Sequence, residues 1–389
     1  MKKNLIYAGL AAGTLALSGL AAVSSGASAT PAHDTAARQA VHACSAHVAS
    51  GRATCLALVK TRTDGTIAPS IKPLATAFTP KDVQRAYRLN GLTSGGRTVA
   101  IVDAYGYPNL ASDLATYRSN YGLPPCTKAN GCLKIMDQYG GSNLPPYNSG
   151  WALEQALDVD AVSAACPDCK ILVVQANSNT FADLGAAVNR AAVQPGVVAI
   201  SNSYSGGSQS NQPAYNHPGI AITASTGDNG YAPGAYPASD THVVAVGGTS
   251  VFRDSSRRGY SESVWNGAGS GCGINPKPAW QGAANTTCST KASADVSAAA
   301  DPNYGGLSIY FGGYQQVGGT SESSPIIAAV YALSGKTTGY PAKFPYRNTT
   351  KLYDITTGSN GSCGVPLCTA RQGWDGPTGV GTPKGVSGF

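Results

Sequence analysis

The sequence predicts an α/β fold, a mainly parallel central β-sheet flanked by helices within one large domain, and two patterns carry that expectation. Short runs rich in valine, isoleucine and alanine recur at 98–102, 171–174, 197–200, 220–224 and 243–246, which suits strands buried on both faces. Between several of them lie helical patterns, at 110–121, 152–165 and 181–192. Strand and helix in alternation imply a parallel sheet with right-handed crossovers. In such sheets functional groups gather beyond the carboxyl ends of the strands. No internal repeat interrupts the pattern, which runs as one unit over residues 79–389.

Two segments precede that unit. Residues 1–29 read as a secretory leader: Met1-Lys2-Lys3, a weakly apolar stretch over 5–23, then the small-residue triplet Ala27-Ser28-Ala29. Gly9, Gly13, Ser18 and Gly19 dilute a stretch that would need about 20 strongly apolar residues to span a bilayer. The expectation is a secreted, extracellular chain that makes no membrane contact once the leader is removed. Residues 30–78 form a short N-terminal extension or propeptide, Ala-rich and His-bearing, followed by a Pro-punctuated link at 67–80. That composition reads as a removable or loosely attached segment.

The ten cysteines fall into five close couples, Cys44/Cys55, Cys126/Cys132, Cys166/Cys169, Cys272/Cys288 and Cys363/Cys368. In an exported chain an even set with local spacing predicts five disulfides. His42, Cys44, His47 and Cys55 could be offered as a metal cluster, but their spacing matches no standard zinc pattern. Cys166-Pro167-Asp168-Cys169 has the spacing of a redox motif, yet it follows a predicted helix rather than a strand, so it reads as a structural staple. Only 12% of residues are charged and 42% are hydrophobic, which argues against disorder. The formal charge of +7 is scattered, with no basic run, so nucleic-acid binding is unsupported.

Ser321 stands in Gly318-Gly319-Thr320-Ser321, ahead of an apolar helical run at 326–333. A serine on a glycine-rich turn at a helix start is exposed, and the free amides there can stabilise developing negative charge. An ordinary helix cap has the same appearance. A nucleophile also needs a base. His33, His42 and His47 precede the main domain, His217 sits in a turn and His242 opens a predicted strand, so an Asp-His-Ser arrangement with Asp103, which ends the first strand, is weak. Glu154 and Asp158 offer the alternative. Four residues apart on a predicted helix, they share a face with Cβ atoms about 5–6 Å apart, and two such acids resist joint ionisation and can share a proton. Asp228, in Ser225-Thr226-Gly227-Asp228-Asn229-Gly230, follows directly on a buried strand. That places it among the functional loops, although Asp before Asn-Gly is also good turn chemistry.

Taken in order, E-x-x-x-D, S-T-G-D-x-G and G-T-S-x-S-x-P, with Ala294-Asp295-Val296-Ser297-Ala298 upstream of the serine, resemble the sedolisin family of serine-carboxyl peptidases over about 78–385. The resemblance implies a subtilisin-like fold, hydrolysis of peptide bonds in protein or peptide substrates, activity in acid and a monomer. It implies Ser321 as nucleophile, Glu154 as general base and acid, Asp158 as its orienting partner and Asp228 as a protonated oxyanion donor. It also implies one structural calcium ion held by the Asp354 and Asp375 side chains and the carbonyls of Ile355, Arg371 and Gly373, an oxygen-only set that suits calcium. The chain departs from the family in three places: the extension is far shorter than the usual prodomain, Tyr204 stands where tryptophan is usual, and Arg371 where glycine is usual. The competing readings are an Asp-His-Ser hydrolase using Asp103 with His217 or His242, and an inactive secreted binding protein on the same scaffold.

Overall fold

The computed structural model describes residues 40–45 and 49–389; the expected leader, 1–29, and His47 lie outside them. In chain order the elements begin with three short strands, β1 (Ala40–His42), β2 (Thr54–Cys55) and β3 (Leu58–Lys60), and helix α1 (Pro80–Ala86). Then come β4 (Thr98–Ala104), α2 (Leu110–Asn120), β5 (Leu133–Asp137), α3 (Ser149–Ala165), β6 (Lys170–Ala176), α4 (Phe181–Ala192), β7 (Val197–Asn202), β8 (Tyr204–Ser205) and β9 (Ala221–Ser225). The remainder is β10 (Val244–Arg253), β11 (Tyr260–Val264), the β12 (Gly271–Pro276) and β13 (Thr290–Ser293) pair, β14 (Val296–Ala299), β15 (Leu307–Tyr310), β16 (Tyr314–Gly318), α5 (Thr320–Ser334), α6 (Lys343–Arg347), β17 (Leu352–Tyr353) and β18 (Thr382–Pro383).

Among the described residues the main sheet has eight strands in the order β11-β10-β9-β7-β4-β6-β5, with β14 also pairing with β10. Every pairing in it is parallel except that of β10 with β11. Successive side chains of a strand face opposite ways, and β4 shows the consequence. Val99 and Ile101 enter a layer with residues of α1, α2, α3 and α5, whereas Ala100 and Val102 enter the layer of α4. The predicted parallel architecture is therefore present, with helices on both faces. The stretch expected at 243–246 continues to Arg253 because its second half pairs antiparallel with β11, whose Ser-Glu-Ser centre carries no strand signal.

Helix α3 is buried all round from Gly150 to Ala165, although it is not apolar all round. It carries three carboxyls, Glu154, Asp158 and Asp160, into the interior. Asn148 caps its start by accepting from the Trp151 amide at 3.2 Å, and the Cys166–Cys169 disulfide closes its end. All five expected disulfides are formed. Cys44 and Cys55, bonded to each other, are not free thiolate ligands, so the metal alternative falls, and the Cys166–Cys169 bond stands at the end of α3, as expected of a staple.

The N-terminal strands are part of the fold. β3 pairs with β1 on one side and with β16 on the other, inside a β1-β3-β16-β15 sheet, while β2 pairs with β8. Leu56 to Val59 are buried. Strand pairing and burial make this stretch a packed strap, where composition alone suggests loose attachment.

Candidate active site

The carboxyl ends of β4, β7 and β9 converge with the amino end of α5, and the sequence places a polar group at each. β4 carries Asp103 one residue before its end, β7 runs into Ser203, β9 leads to Asp228, and α5 opens with Thr320 and Ser321. Gly319 joins β16 to α5 with φ of +102°, a backbone only glycine adopts without strain. A Cβ there would lie 2.0 Å from the Leu56 carbonyl oxygen and 2.7 Å from Asp228 Oδ2, so these two oxygens flank the same Cα.

Ser321, Glu154, Asp158 and Asp228 all lie buried at this convergence. The Ser321 hydroxyl donates to the Ser203 carbonyl at 3.2 Å. The Ser203 hydroxyl donates to Asp158 Oδ1 at 2.8 Å and lies 3.3 Å from the Ser321 carbonyl oxygen. Pro325, inside α5, has no N–H for that carbonyl, and Ser203 takes the vacated position. Ser203 thus couples the carboxyl pair to the serine, a role nothing in its sequence context signals. Glu154 Oε2 accepts from the amides of Leu56 and Ala57 at 2.8 and 2.7 Å. Its Oε1 is buried with no donor in hydrogen-bonding geometry among the described residues, and the neighbouring Ser321 hydroxyl favours the charged form.

Asp103 joins the pair. It is fully buried and neither oxygen has a hydrogen-bond partner among the described residues. Burial, and then mutual repulsion with Asp103, push Glu154 and Asp158 well above the usual carboxylate range, and burial raises Asp103 likewise. Three carboxyls packed this closely cannot all be charged, so the cluster retains protons. Asp228 is raised to about 7 by burial, against the opposing pull of Thr320. Its Oδ1 accepts from the Thr320 amide and hydroxyl, each at 2.8 Å. The proton of the neutral form therefore belongs on Oδ2, the atom beside Gly319.

The two histidines of the Asp-His-Ser alternative lie elsewhere. His217 and His242 precede β9 and β10, at the amino ends of parallel strands and so on the opposite edge of the sheet from Ser321. His217 bonds Asn189 at 3.0 Å and His242 pairs with Asp240 at 2.9 Å. Tyr204, at the expected tryptophan position, is buried, donates to Asn202 Oδ1 at 2.8 Å and packs 6.2 Å from the Trp151 ring.

The expected calcium ligands come from two neighbouring loops. The Gly373 amide donates to Asp354 Oδ2 at 2.9 Å and the Arg371 amide approaches Asp375 Oδ2 at 3.5 Å. Asp375 is buried, and its carboxyl feels the charge of Asp354. Two carboxylates close enough to repel are hard-oxygen donors of the kind that fits calcium. The Arg371 guanidinium donates to the Trp374 and Asn285 carbonyls at 2.8 and 3.1 Å.

Residues 147–364 match the model of the subtilase family. Among curated proteins, kumamolisin of Bacillus sp. (strain MN-32) is 31% identical over 355 residues, covering 80% of this chain and 63% of that protein. Sedolisin of Pseudomonas sp. (strain 101) is 32% identical over 167 residues, covering 38% of this chain and 28% of its own length. The chain thus spans less than two thirds of these relatives. A solved Pseudomonas sedolisin, a serine-carboxyl proteinase complexed with two molecules of pseudo-iodotyrostatin, superposes with a TM-score of 0.66 at 24% identity, covering 80% of this chain and 96% of the other. That likeness establishes the fold.

Proposed function

Because the chain belongs to the subtilase family, in its sedolisin-type branch, we propose that it is a secreted serine-carboxyl endopeptidase that cleaves peptide bonds in proteins through an acyl-enzyme on Ser321 and works in acid. The observation that carries this reading is the burial of Ser321 with Glu154 and Asp158 at one site, and the presence of both candidate histidines on the opposite edge of the sheet.

Ser321 needs only to turn from the Ser203 carbonyl toward Glu154 to give up its proton. Asp158, fixed by Ser203 and pressed by Asp103, orients Glu154 and buffers the shared protons. The negative charge that develops on the attacked carbonyl oxygen is met by protonated Asp228 through Oδ2, and one such donor contributes about 10² to 10³ in rate. Glu154 then returns the proton to the leaving nitrogen. The acid requirement follows from sign. Below about pH 7 Asp228 is a donor, and as pH rises through its pKa it becomes a charge that repels the oxyanion.

A bound calcium ion would be held by Asp354, Asp375 and the carbonyls of Ile355, Arg371 and Gly373, and would tie the C-terminal loops together. Protein and peptide substrates, a monomeric state and export belong to the same reading; among the described residues no helix is long and apolar enough to cross a membrane. Cleavage of a protein substrate measured from about pH 3 to 8, with Ser321→Ala and Glu154→Gln beside the parent, tests it. Both variants should lose activity, and a fully active Glu154→Gln enzyme would exclude a carboxyl base.

A further inference from the structure

We infer that a basic pocket between α1 and the β10–β11 hairpin binds an oligophosphate, a run of linked phosphate groups, with Arg85, Arg88 and Arg257 as its free cations. The site shares no residue with that of Ser321 and does not depend on the peptidase reading.

The charges of this chain are scattered in sequence, and the fold gathers two sets of them. Arg85 lies on α1 with Arg88 just beyond it, Arg253 ends β10, and Arg257 and Arg258 stand in the turn that leads to β11. All five line one pocket of about 590 Å³, in which Asp254 is the only carboxylate among the lining residues. Two of the five are fixed. Arg253 donates to both oxygens of Asp82, each at 2.9 Å, while Arg258 donates to Glu262 Oε2 at 2.6 Å and to the Ala86 carbonyl at 2.9 Å. These bonds clamp the hairpin against α1.

The other three have no acid to neutralise them. Asp82 also accepts from the Thr79 amide and hydroxyl and from Tyr260, and Glu262 from Tyr87, Thr249 and Thr382, so the lone pairs of both carboxylates are taken. Asp254 is exposed and accepts from the Ser256 amide of its own turn, a single charge against three. Arg85, Arg88 and Arg257 are exposed, and their guanidinium groups make no hydrogen bond or ion pair among the described residues. Arg88 rests 5.6 Å from the centre of the Tyr353 ring. Its backbone is left-handed, with φ of +55°, directly after the end of α1, where glycine is the usual residue. A glycine would adopt that turn more easily and would remove the charge.

Unpartnered cations gathered in a concave site raise its potential and draw in anions. The arginine fork matches pairs of phosphate oxygens. Three free forks in a pocket wider than one phosphate favour several linked groups. Phosphate groups also keep a charge at about pH 4, where carboxylates are losing theirs; only this preference for phosphate over carboxylate rests on the acid activity proposed above.

Isothermal titration of the full chain with inorganic tripolyphosphate, in low salt at about pH 4 and about pH 7, tests the site. Two charge-matched triple variants are titrated beside it. One carries Arg85→Gln, Arg88→Asn and Arg257→Gln; the other carries Arg62→Gln, Lys72→Gln and Lys128→Gln, three exposed cations outside the pocket. The parent and the remote triple should bind alike, and the pocket triple should lose at least about tenfold in affinity, since each fork removed is a charge-assisted bond, with its thermal midpoint unchanged. Should that midpoint fall, Arg257→Gln alone, in an exposed turn, should still weaken binding while Lys128→Gln does not. Calcium withdrawn by the probe affects both triples equally, so the difference between them is the readout. No binding by the parent, or equal losses in both triples, would overturn the site. Orthophosphate binding as tightly as tripolyphosphate, or citrate binding more tightly than it at the acid pH, would overturn the ligand class. A glycerol phosphate oligomer, titrated in the same way, distinguishes a phosphodiester polymer from a free oligophosphate as the source, the tighter binder naming it. Ser321→Ala should bind as the parent does, so the pocket and the peptidase reading stand or fall separately.

Discussion

Asp228 shows how much one residue's surroundings decide. In sequence it is an aspartate before Asn-Gly, good turn chemistry. In the fold, burial raises it to about 7, and two bonds from Thr320 occupy Oδ1 and leave Oδ2 to carry the proton. Replacing it by asparagine supplies a donor that does not titrate. The Asp228→Asn enzyme should keep part of its activity in acid and lose the alkaline fall near pH 7, a difference read from the kcat/KM profile; an unchanged alkaline limb would place that limb in another group. Ser203 is the complementary case. Its place before Tyr204 assigns it no role, yet it binds Asp158 and stands beside the Ser321 carbonyl that Pro325 leaves without a donor. The carboxyls Glu154 and Asp158 were legible from their spacing of four residues, whereas Asp103 entered only as the acid of a different mechanism. Its membership in the cluster depends on β4 and α3 lying side by side, which local sequence does not encode.

At the scale of elements, the junction of β16 and α5 is the most constrained piece of backbone in the site. Gly319 must adopt φ of +102°, and both the strap and Asp228 approach its Cα. Gly319→Ala should therefore cost at least about 10²-fold in kcat, the scale of losing one oxyanion donor, because the methyl group displaces either Asp228 Oδ2 or the carbonyl bound beside it. Near-parental kcat in a folded Gly319→Ala protein would show that neither oxygen is needed where it stands. Helix α4 was readable at 181–192 because it is half exposed and its apolar residues keep to one face. Helix α3, rich in alanine, leucine and valine around its buried acids, was readable by composition and length, and it starts at Ser149 because Asn148 caps it. β11 and the strap strands escaped notice because each is short and stabilised by a distant partner.

For the whole molecule, the C-terminal loops offer a test that does not depend on catalysis. A cation bound only by the native state stabilises it by about 2.7 kcal/mol at a hundredfold excess over its Kd. A strong chelator should thus lower the thermal midpoint, and Asp375→Ala should abolish the response to added calcium. An unchanged midpoint with no calcium found by elemental analysis would remove the site.

Legible in the chain alone were the class of the fold, the expectation of five disulfides between close couples, the strands' carboxyl ends as functional ground, and the acids and serine that gather there. These are local quantities: hydrophobic periodicity, cysteine spacing, glycine turns and helical phase. Tertiary structure alone decided that Asp103 completes the acid cluster, that Ser203 links it to Ser321, and that the Leu56 and Ala57 amides donate to Glu154. Each of those facts depends on side chains or strands far apart in sequence meeting at one sheet edge, so the physical reason they were hidden is that strand pairing and burial, unlike periodicity, are not written in any short stretch of the chain.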